Sequence, residues 1–184
     1  LQYYLFGFIP APHSIFNQIS KLPPSSYAMF DLKSWTLSDV VEYWNPIQKP
    51  VSEMNWDGEE ELLNLIDSAI TSAVKKRMVA DVPICMFLSG GVDSSLVLAK
   101  AVQLGVAPHS YSISFPGYEA DESHYASRVA RHLGVKHEII EMTNVDMTIA
   151  ASEMLDYLDE PIADAALLPL YFLSKQVSSK YKVA

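Results

Sequence analysis

One short segment, residues 89–95, combines glycines, hydroxyl groups and a carboxylate at a spacing suited to phosphate chemistry. Its members are Ser89, Gly90, Gly91, Val92, Asp93, Ser94 and Ser95. Because glycine has no Cβ, Gly90 and Gly91 allow a tight turn that presents backbone N–H groups to an anion. The serines add hydroxyl donors, and a helix starting here would point its positive end at the same place. The segment therefore predicts an anion-binding loop.

Asp93 is the acidic member of this loop, and its carboxylate would repel a bound phosphate unless a cation lay between them. Mg²⁺ commonly binds through one or two carboxylates together with phosphate oxygens. We therefore predict that Asp93 is both the catalytic residue and the metal ligand, holding Mg²⁺ on a leaving pyrophosphate. The alternative is that Asp93 only caps the following helix, and the two roles are compatible.

The loop differs from two widespread nucleotide-binding motifs. It lacks a Gly-Lys-Ser/Thr sequence, so the lysine that reaches the β- and γ-phosphates in a Walker A loop is missing. Its glycine spacing also differs from the dinucleotide-binding GxGxxG pattern. A Ser-Gly-Gly-x-Asp-Ser sequence placed between a buried strand and a helix nevertheless favours a phosphate site over a chance serine and glycine turn.

The elements that must position the loop alternate along the chain. Apolar runs predict strands over residues 82–88, 110–115 and 137–141. Helical periodicity predicts helices over residues 57–77, 94–104, 121–133, 146–158 and 167–181. This spacing is typical of βαβ units, so we predict the α/β fold class, with a parallel sheet and helices on both faces. Ligands of such folds bind beyond the carboxyl ends of the strands.

The chain divides by composition into two parts. Residues 1–56 are rich in aromatic residues and proline, and we predict an irregular segment with a small hairpin formed by residues 26–32 and 35–44. Residues 57–184 are predicted to form the α/β domain that carries the loop. We expect the chain to be a piece of a longer protein, because it starts without a methionine and stops at what resembles the start of a strand.

Composition and charge argue against a nucleic-acid-binding protein, a membrane-spanning protein and a cysteine-dependent enzyme. The formal net charge of −9 disfavours a nucleic-acid partner, since a polyanion would be repelled. No apolar run is long enough to span a membrane, and without a signal-type segment we expect a cytoplasmic protein. The single cysteine, Cys85, lies in an apolar run and is predicted to be a buried core thiol. The alternative, a catalytic nucleophile, lacks a basic neighbour in the local sequence.

The Ser-Gly-Gly-x-Asp-Ser loop resembles the pyrophosphate loop of the ATP-pyrophosphatase (PP-loop) superfamily, whose members cleave ATP between the α- and β-phosphates. Further segments resemble, in order and spacing, the synthetase domain of bacterial-type, glutamine-hydrolysing asparagine synthetases. They are residues 4–12, 15–16, 21–24, 80–83, 115–117, 121–122, 133–135, 137–138, 159–161, 163–164 and 168–169. This resemblance implies the three-layer fold of adenine nucleotide α-hydrolases.

The resemblance also implies a reaction, that of a carbon–nitrogen ligase with glutamine as amido donor. ATP would adenylate the side-chain carboxylate of aspartate, giving β-aspartyl-AMP and pyrophosphate. Ammonia from a glutaminase domain would then displace AMP and form asparagine. ATP and Mg²⁺ are accordingly the expected cofactors.

Site residues follow from motif position within the family. The residues implied to hold the pyrophosphate portion of ATP and its Mg²⁺ are Ser89, Gly90, Gly91, Asp93, Ser94 and Ser95. Leu88 and Ile113 match positions that contact the nucleoside, although both would also fit a sheet core. Asp159, Glu160 and Asp164 are candidates to face the acyl substrate, with surface solvation as the simpler explanation for each.

Two parts of the family's full-length protein have no counterpart in this chain: the glutaminase domain and a second glycine-rich loop. We therefore expect the chain to bind the pyrophosphate portion of ATP and to be inactive alone. Two alternatives stay open: a relative that adenylates another carboxylate, as a β-lactam synthetase does, and a non-catalytic nucleotide-binding module. The acyl substrate and the oligomeric state, a homodimer included, also stay open.

Overall fold

The computed structural model describes residues 1–45, 58–119 and 121–184. The predicted boundary between residues 56 and 57 lies outside the described residues, as does the predicted first residue of the helix over residues 57–77. No helix in the described part of the chain is both long and apolar enough to cross a membrane.

Residues 1–45 and Leu158–Asp164 form one compact unit, and the remaining described residues form a second. The regular elements of the first unit are all short. They are the helix α1 (Gln2–Phe6) and the strands β1 (Ser26–Tyr27), β2 (Phe30–Asp31), β3 (Thr36–Leu37) and β4 (Val41–Glu42). β1 pairs antiparallel with β4, and β2 with β3. Residues 26–32 and 35–44 therefore pair as two short ladders rather than one continuous hairpin.

Residues 158–164 are held to the N-terminal residues of the same unit by polar contacts. Glu160 forms an ion pair with Lys21 and accepts a hydrogen bond from the N–H of Ile15 at 3.3 Å. The N–H of Ala163 donates to the carbonyl of Gly7 at 2.7 Å. These contacts give the segment a structural role within the first unit.

The second unit contains a parallel sheet and five α-helices among its described residues. Its elements are α2 (Glu59–Arg77), β5 (Cys85–Phe87), α3 (Val92–Gln103), β6 (His109–Ser114), α4 (Ser123–Leu133), β7 (His137–Glu141), α5 (Asn144–Met154) and α6 (Leu167–Val177). The strands lie in the order β5-β6-β7, and both neighbouring pairs are parallel. The parallel pairing requires a crossover between strands, and α3 and α4 supply it.

Side chains that alternate along β5 pack against helices on opposite faces of the sheet. Leu88, just after the strand, packs with Leu98 of α3 and with Ala126 of α4. Cys85 packs on the other side with Tyr111 of β6, and with Leu173 of α6. Because successive strand residues point to opposite faces, these contacts place helices on both faces of the sheet. The predicted α/β, three-layer fold class is confirmed.

The predicted elements are present, with ends that differ by a few residues in both directions. β6 begins one residue before its predicted start, and α3 begins two residues before its predicted start. The strand predicted over residues 82–88 is paired only over Cys85–Phe87, with an isolated parallel bridge between Ile84 and Val183. Pro83 supplies no N–H for a ladder, which is consistent with pairing that starts after it. At this bridge the N–H of Cys85 donates to the carbonyl of Val183 at 3.0 Å, so Val183 lies beside the start of β5.

Helix ends differ from prediction where capping groups decide them. The helix predicted to start at residue 146 begins two residues earlier, because Thr143 and Asp146 form a capping box. It ends at Met154 and continues as a 3₁₀ turn over Leu155–Tyr157. The helix predicted over residues 167–181 ends at Val177.

Cys85 is fully buried, with 0% of its surface exposed. Burial raises the pKa of its thiol, so the reactive thiolate is disfavoured. The prediction of a core thiol is confirmed.

Candidate functional site

The loop of residues 89–95 leaves the carboxyl end of β5, and its departure point is fixed by hydrogen bonds to β6. The N–H of Leu88 donates to the carbonyl of Tyr111 at 2.8 Å. The hydroxyl of Ser112 donates to the carbonyl of Leu88, so a side chain replaces the next ladder bond of the sheet. Leu88 is therefore held at both backbone groups immediately before the loop begins.

Gly90 is the loop position where only glycine fits. Its φ is +85°, a conformation that L side chains rarely adopt. A Cβ at this position would lie 2.5 Å from the backbone nitrogen of Ala126 and 2.8 Å from Cβ of Tyr125. The loop therefore packs directly on the first turn of α4, and the missing side chain allows that approach.

Ser89 and Ser94 close the loop on itself. Their hydroxyl oxygens lie 2.9 Å apart, and the N–H of Ser89 donates to Oγ of Ser94 at 3.3 Å. The N–H of Gly91 donates to Oγ of Ser89 at 3.2 Å, and the hydroxyl of Ser94 donates to the carbonyl of Gly91 at 3.3 Å. The loop is thus a compact ring of donors that can reorient towards an anion.

The N-terminus of α3 adds backbone donors to this ring. Gly91 is the N-cap residue, and the first helical bond runs from the N–H of Ser95 to the carbonyl of Gly91 at 3.1 Å. The N–H groups of Val92, Asp93 and Ser94 precede that bond and have no partner within the helix. Aligned peptide dipoles place positive charge at the same point, so this end of α3 favours an anion.

Asp93 lies in the first turn of α3, exposed to solvent. Because the N-cap is Gly91 and no side chain makes a capping hydrogen bond, helix capping is not the role of Asp93. The described residues contain no group of three or more His, Cys, Asp or Glu side chains that could hold a metal ion. A single carboxylate beside a phosphate cradle suits Mg²⁺, which takes its remaining ligands from phosphate oxygens and water.

A cleft of about 380 Å³ opens at the carboxyl ends of β5 and β6. Four of the residues predicted from the sequence line it: Leu88, Ser89, Ser94 and Ile113. Ile113 also packs against two core clusters, so it belongs to the sheet core as well as to the cleft wall. Leu88 is almost fully buried and contributes mainly apolar wall.

Glu122 and Ser123 also line the cleft, and the sequence analysis missed both as site residues. They are placed there by Asp121, whose carboxylate accepts the N–H of Ser123 at 2.8 Å and the N–H of Phe115 at 3.2 Å. These hydrogen bonds, chiefly that from Ser123, lower the pKa of Asp121. The available signal was Asp121 at the first position of the helix predicted over residues 121–133, because an Asp at the start of a helix often binds the first N–H groups. The observed helix starts two residues later, at Ser123.

The predicted site residues divide between two cavities. Gly90 and Ser95 line a groove of about 860 Å³ between α3 and α4, on a different wall of the loop from the strand-end cleft. Gly91 and Asp93 are exposed at the loop surface. Although this groove is larger than the strand-end cleft, the cleft is the better candidate for a nucleotide, because it lies where parallel strands end and combines loop donors with an apolar pocket.

The acidic residues after α5 are not part of this cleft. Glu160 is committed to Lys21 and to the N–H of Ile15 within the first unit. Asp159 and Asp164 lie in the same unit and are exposed.

Comparison with known proteins places this loop and cleft in a family. Residues 65–184 match the family model described as asparagine synthase. The chain belongs to the asparagine synthase family. The matched region includes the whole loop over residues 89–95 and every strand of the parallel sheet.

Curated relatives of the asparagine synthase family match nearly the whole chain. Asparagine synthetase [glutamine-hydrolyzing] 1 of Bacillus subtilis (strain 168) is 29% identical over 190 residues, covering 100% of this chain and 28% of that protein. A putative asparagine synthetase [glutamine-hydrolyzing] 2 of Methanocaldococcus jannaschii is 31% identical over 176 residues, covering 94% of this chain and 33% of that protein. The chain thus spans about a third or less of the length of these relatives.

Among solved structures, a glutamine-dependent NAD⁺ synthetase from Acinetobacter baumannii, in complex with ADP, overlaps part of this chain. The two are 21% identical with a TM-score of 0.44, and the overlap covers 85% of this chain and 28% of that one. A TM-score of 0.44 means that the two backbones superpose only in part. The α/β assignment of the present chain rests on its own parallel sheet.

Proposed function

We propose that this protein is the synthetase part of a glutamine-dependent asparagine synthetase. It would use ATP to convert aspartate to asparagine, releasing AMP and pyrophosphate. The observation that carries the proposal is the loop at the end of β5, where Gly90 packs closely on α4 and the first three N–H groups of α3 have no partner within the helix. Membership of the asparagine synthase family supports it.

In this proposal the loop binds the pyrophosphate portion of ATP. The N–H groups at the start of α3 bind phosphate oxygens, because they have no helical partner and lie at the positive end of the helix. The hydroxyls of Ser89 and Ser94 now bond to each other and would turn outward to donate to the same oxygens. Gly91 contributes backbone without a side chain to obstruct the phosphates. Ser95 lines the α3–α4 side of the loop, so its hydroxyl has no part in this binding.

Asp93 is the residue positioned to hold Mg²⁺ when the nucleotide binds. Bound Mg²⁺ would supply charge neutralisation on the departing pyrophosphate. The carboxylate suits this role because it is exposed and makes no capping bond.

The strand-end cleft would take the nucleoside portion. Leu88 and Ile113 contribute apolar surface, and Glu122 and Ser123 contribute polar groups at its edge. A pocket of about 380 Å³ with mostly apolar walls and a few polar groups has the composition of ligand sites in general.

The chemistry has two steps. An oxygen of the aspartate side-chain carboxylate attacks the α-phosphorus, and the bond from that phosphorus to the bridging oxygen breaks, releasing pyrophosphate. Ammonia then attacks the acyl carbon, loses a proton and displaces AMP, which keeps the attacking oxygen. The loop contributes by stabilising negative charge on the pyrophosphate as it leaves.

The same proposal extends to the ammonia source, the cellular location and the domain bounds of the protein. Ammonia would come from a glutaminase domain, as the family resemblance implies, and the protein would act in the cytoplasm. Residues 1–56 would be the N-terminal segment of the synthetase, and residues 57–184 would be its ATP-pyrophosphatase domain. A homodimer is one arrangement open to it, and light scattering of the purified protein distinguishes it from a monomer.

The test is product analysis with the full-length protein. Supplied with ATP, Mg²⁺, glutamine and aspartate, it should form asparagine, AMP and pyrophosphate in equal amounts. Pyrophosphate release that requires another carboxylic acid in place of aspartate would favour the related-amidotransferase alternative. An absence of AMP formation with every acid tried would leave a non-catalytic nucleotide-binding module and overturn the proposal.

A further inference from the structure

The groove between α3 and α4 has no part in the proposed reaction, yet it has the features of a ligand site. We call it the α3–α4 groove and define it by Ser95 and Leu96 of α3 with Tyr125, Arg128, Arg131 and His132 of α4. Its volume is about 860 Å³. It opens beside the loop, because Gly90 forms part of its wall.

Basic side chains dominate the polar part of this groove. Arg128, Arg131 and His132 all line it and are exposed, and its lining contains no Asp or Glu. Neither arginine forms an ion pair with any side chain in the described part of the chain. In a protein with a formal net charge of −9, two arginines that line one groove without a carboxylate favour an anion from outside the unit.

An independent observation comes from Ser95. Its Oγ is buried and has no hydrogen-bond partner among the described residues. A buried hydroxyl without a partner costs roughly 1–3 kcal/mol, so such groups normally have a partner that is either protein, water or ligand. Ser95 lies on the wall of the α3–α4 groove, so a ligand that displaced the atoms covering this Oγ would supply the missing partner.

The remaining wall of the groove is apolar. Leu96 and Ala99 of α3 face Val129 and Leu133 of α4, with the ring of Tyr125 beside them. A simple inorganic ion would leave these surfaces in contact with water. A ligand that covered them would gain about 25 cal/mol for each Å² of apolar surface removed from water.

We propose that the α3–α4 groove binds a small organic anion, with an aromatic or aliphatic body and one phosphate or carboxylate group. The planar guanidinium groups of Arg128 and Arg131 bind the anionic group, since their donors match the geometry of both kinds of oxyanion. The body lies against Tyr125, Leu96 and Val129. The proposal is independent of the ATP chemistry, because the strand-end cleft uses different residues.

The test follows the arginine Nε–H signals of the isotopically labelled full chain by NMR during titration. Phenyl phosphate and phenylacetate are the two probes, and they distinguish a phosphate-selective from a carboxylate-selective groove. We expect one or both probes to shift the Arg128 and Arg131 signals, with inorganic phosphate binding at least 10-fold more weakly than phenyl phosphate. The Arg77 signal on α2 serves as an internal control and should not move.

Variants separate this groove from the nucleotide loop. R128Q/R131Q should weaken the better probe at least 10-fold, whereas R77Q should leave its affinity unchanged. S94A alters the strand-end cleft and should leave probe binding unchanged. Loss of ATP binding in S94A therefore tests the nucleotide proposal, whereas loss of probe binding in R128Q/R131Q tests this one. Equal probe affinity in R128Q/R131Q and the parent protein, or no signal shift with either probe, would overturn the proposal.

Discussion

Gly90 and Gly91 are adjacent glycines with different structural demands. A Cβ on Gly91 would meet only Oγ of Ser89, at 3.3 Å, a tight contact that a small shift of the serine hydroxyl would relieve. Gly90 combines a positive φ with direct contact to the backbone of α4. The sequence indicated that both glycines permit a turn, but the contact with α4 depends on tertiary packing that no local pattern contains.

Replacing Gly90 by alanine should destabilise the protein through both effects. Gly105 is a matched control, since its φ of +82° is similar and nothing lies within 4 Å of its hypothetical Cβ. We expect G105A to lower the free energy of unfolding by about 1 kcal/mol through backbone strain. G90A should cost about 1–3 kcal/mol more, because the new methyl group overlaps α4.

Urea denaturation of both variants measures this difference through the transition midpoint. Equal midpoints for G90A and G105A would show that the loop does not pack on α4 as described.

Asp93 permits a prediction about metal dependence. Asp93→Asn keeps the size of the side chain but removes its charge, so the variant should lose roughly 3 kcal/mol of stabilisation on the departing pyrophosphate. That loss lowers the rate of AMP formation about 100-fold. The Mg²⁺ concentration for half-maximal rate should rise as well. A variant with parental rate and parental Mg²⁺ dependence would remove the metal-binding role of Asp93.

At the scale of elements, the end of β5 depends on a side chain from β6. The hydroxyl of Ser112 satisfies the carbonyl of Leu88 where the ladder of the sheet stops. Ser110, two residues earlier on β6, donates its hydroxyl at the opposite end of the strand to the carbonyl of Lys136 at 3.1 Å, and that carbonyl also accepts the N–H of Ser110 at 2.8 Å. The two serines therefore test whether the bond at the loop end has a functional consequence.

Ser112→Ala should cost about 1–3 kcal/mol of stability, because it leaves the buried carbonyl of Leu88 without a donor. Ser110→Ala should cost less, because the carbonyl of Lys136 keeps the backbone N–H of Ser110 as a donor at 2.8 Å. Only S112A should also raise the dissociation constant for ATP, since Leu88 leads directly into the loop. Calorimetric titration with ATP, alongside urea denaturation, checks both effects. A similar loss of ATP affinity in the two variants would point to general destabilisation.

Element order was predictable because apolar runs and helical periodicity are local properties. The parallel sheet followed from the alternation of strands and helices, and β7 has the predicted bounds. Element ends were less predictable, since they depend on side-chain caps such as Thr143 with Asp146. The same limitation hid Ser123 as a cleft residue, because its position depends on the carboxylate of Asp121.

Across the whole second unit, a buried polar network joins the C-terminal segment to the sheet at the end opposite the loop. Nδ1 of His109 lies 3.0 Å from the hydroxyl of Tyr111 and 3.2 Å from that of Tyr181. Nε2 of His109 lies 3.2 Å from Glu138 without forming a hydrogen bond. On β7, Nδ1 of His137 lies 2.9 Å from the hydroxyl of Ser110.

This network makes stability depend on pH. Burial lowers the pKa of His109, Lys136 and Lys180 lower it further, and Glu138 opposes them. Burial likewise lowers the pKa of His137. Both histidines titrate near pH 6.5 in the unfolded chain, which therefore takes up protons first as pH falls. The free energy of unfolding should consequently decrease as pH drops below about 6.5 towards the lower folded-state pKa values.

His109→Asn should flatten this pH dependence, because asparagine does not titrate. His132→Asn, at an exposed position on α4, is the matched control and should keep the parental slope. Thermal unfolding between pH 7.5 and 5.5 measures the effect. An unchanged slope in H109N would exclude His109 as a source of the pH dependence.

At the scale of the molecule, the sequence indicated one phosphate site, whereas the structure divides its residues between two cavities. Ser94 and Ser95 are neighbours in the chain, yet Ser94 lines the strand-end cleft and Ser95 lines the α3–α4 groove. Successive helix residues point about 100° apart, so adjacent motif residues do not share one ligand face. A motif in the sequence therefore marks the loop but not the surface to which each side chain turns.

Adenylation of the aspartate side chain would transfer one carboxylate oxygen to AMP, and isotope labelling detects this transfer. The full-length enzyme would be supplied with ATP, Mg²⁺, glutamine and aspartate labelled with ¹⁸O in both side-chain carboxylate oxygens. Because AMP keeps the attacking oxygen, each AMP formed should carry one ¹⁸O in its phosphate, and each asparagine should keep one. AMP without ¹⁸O, or formation of ADP and phosphate in place of AMP and pyrophosphate, would contradict the account.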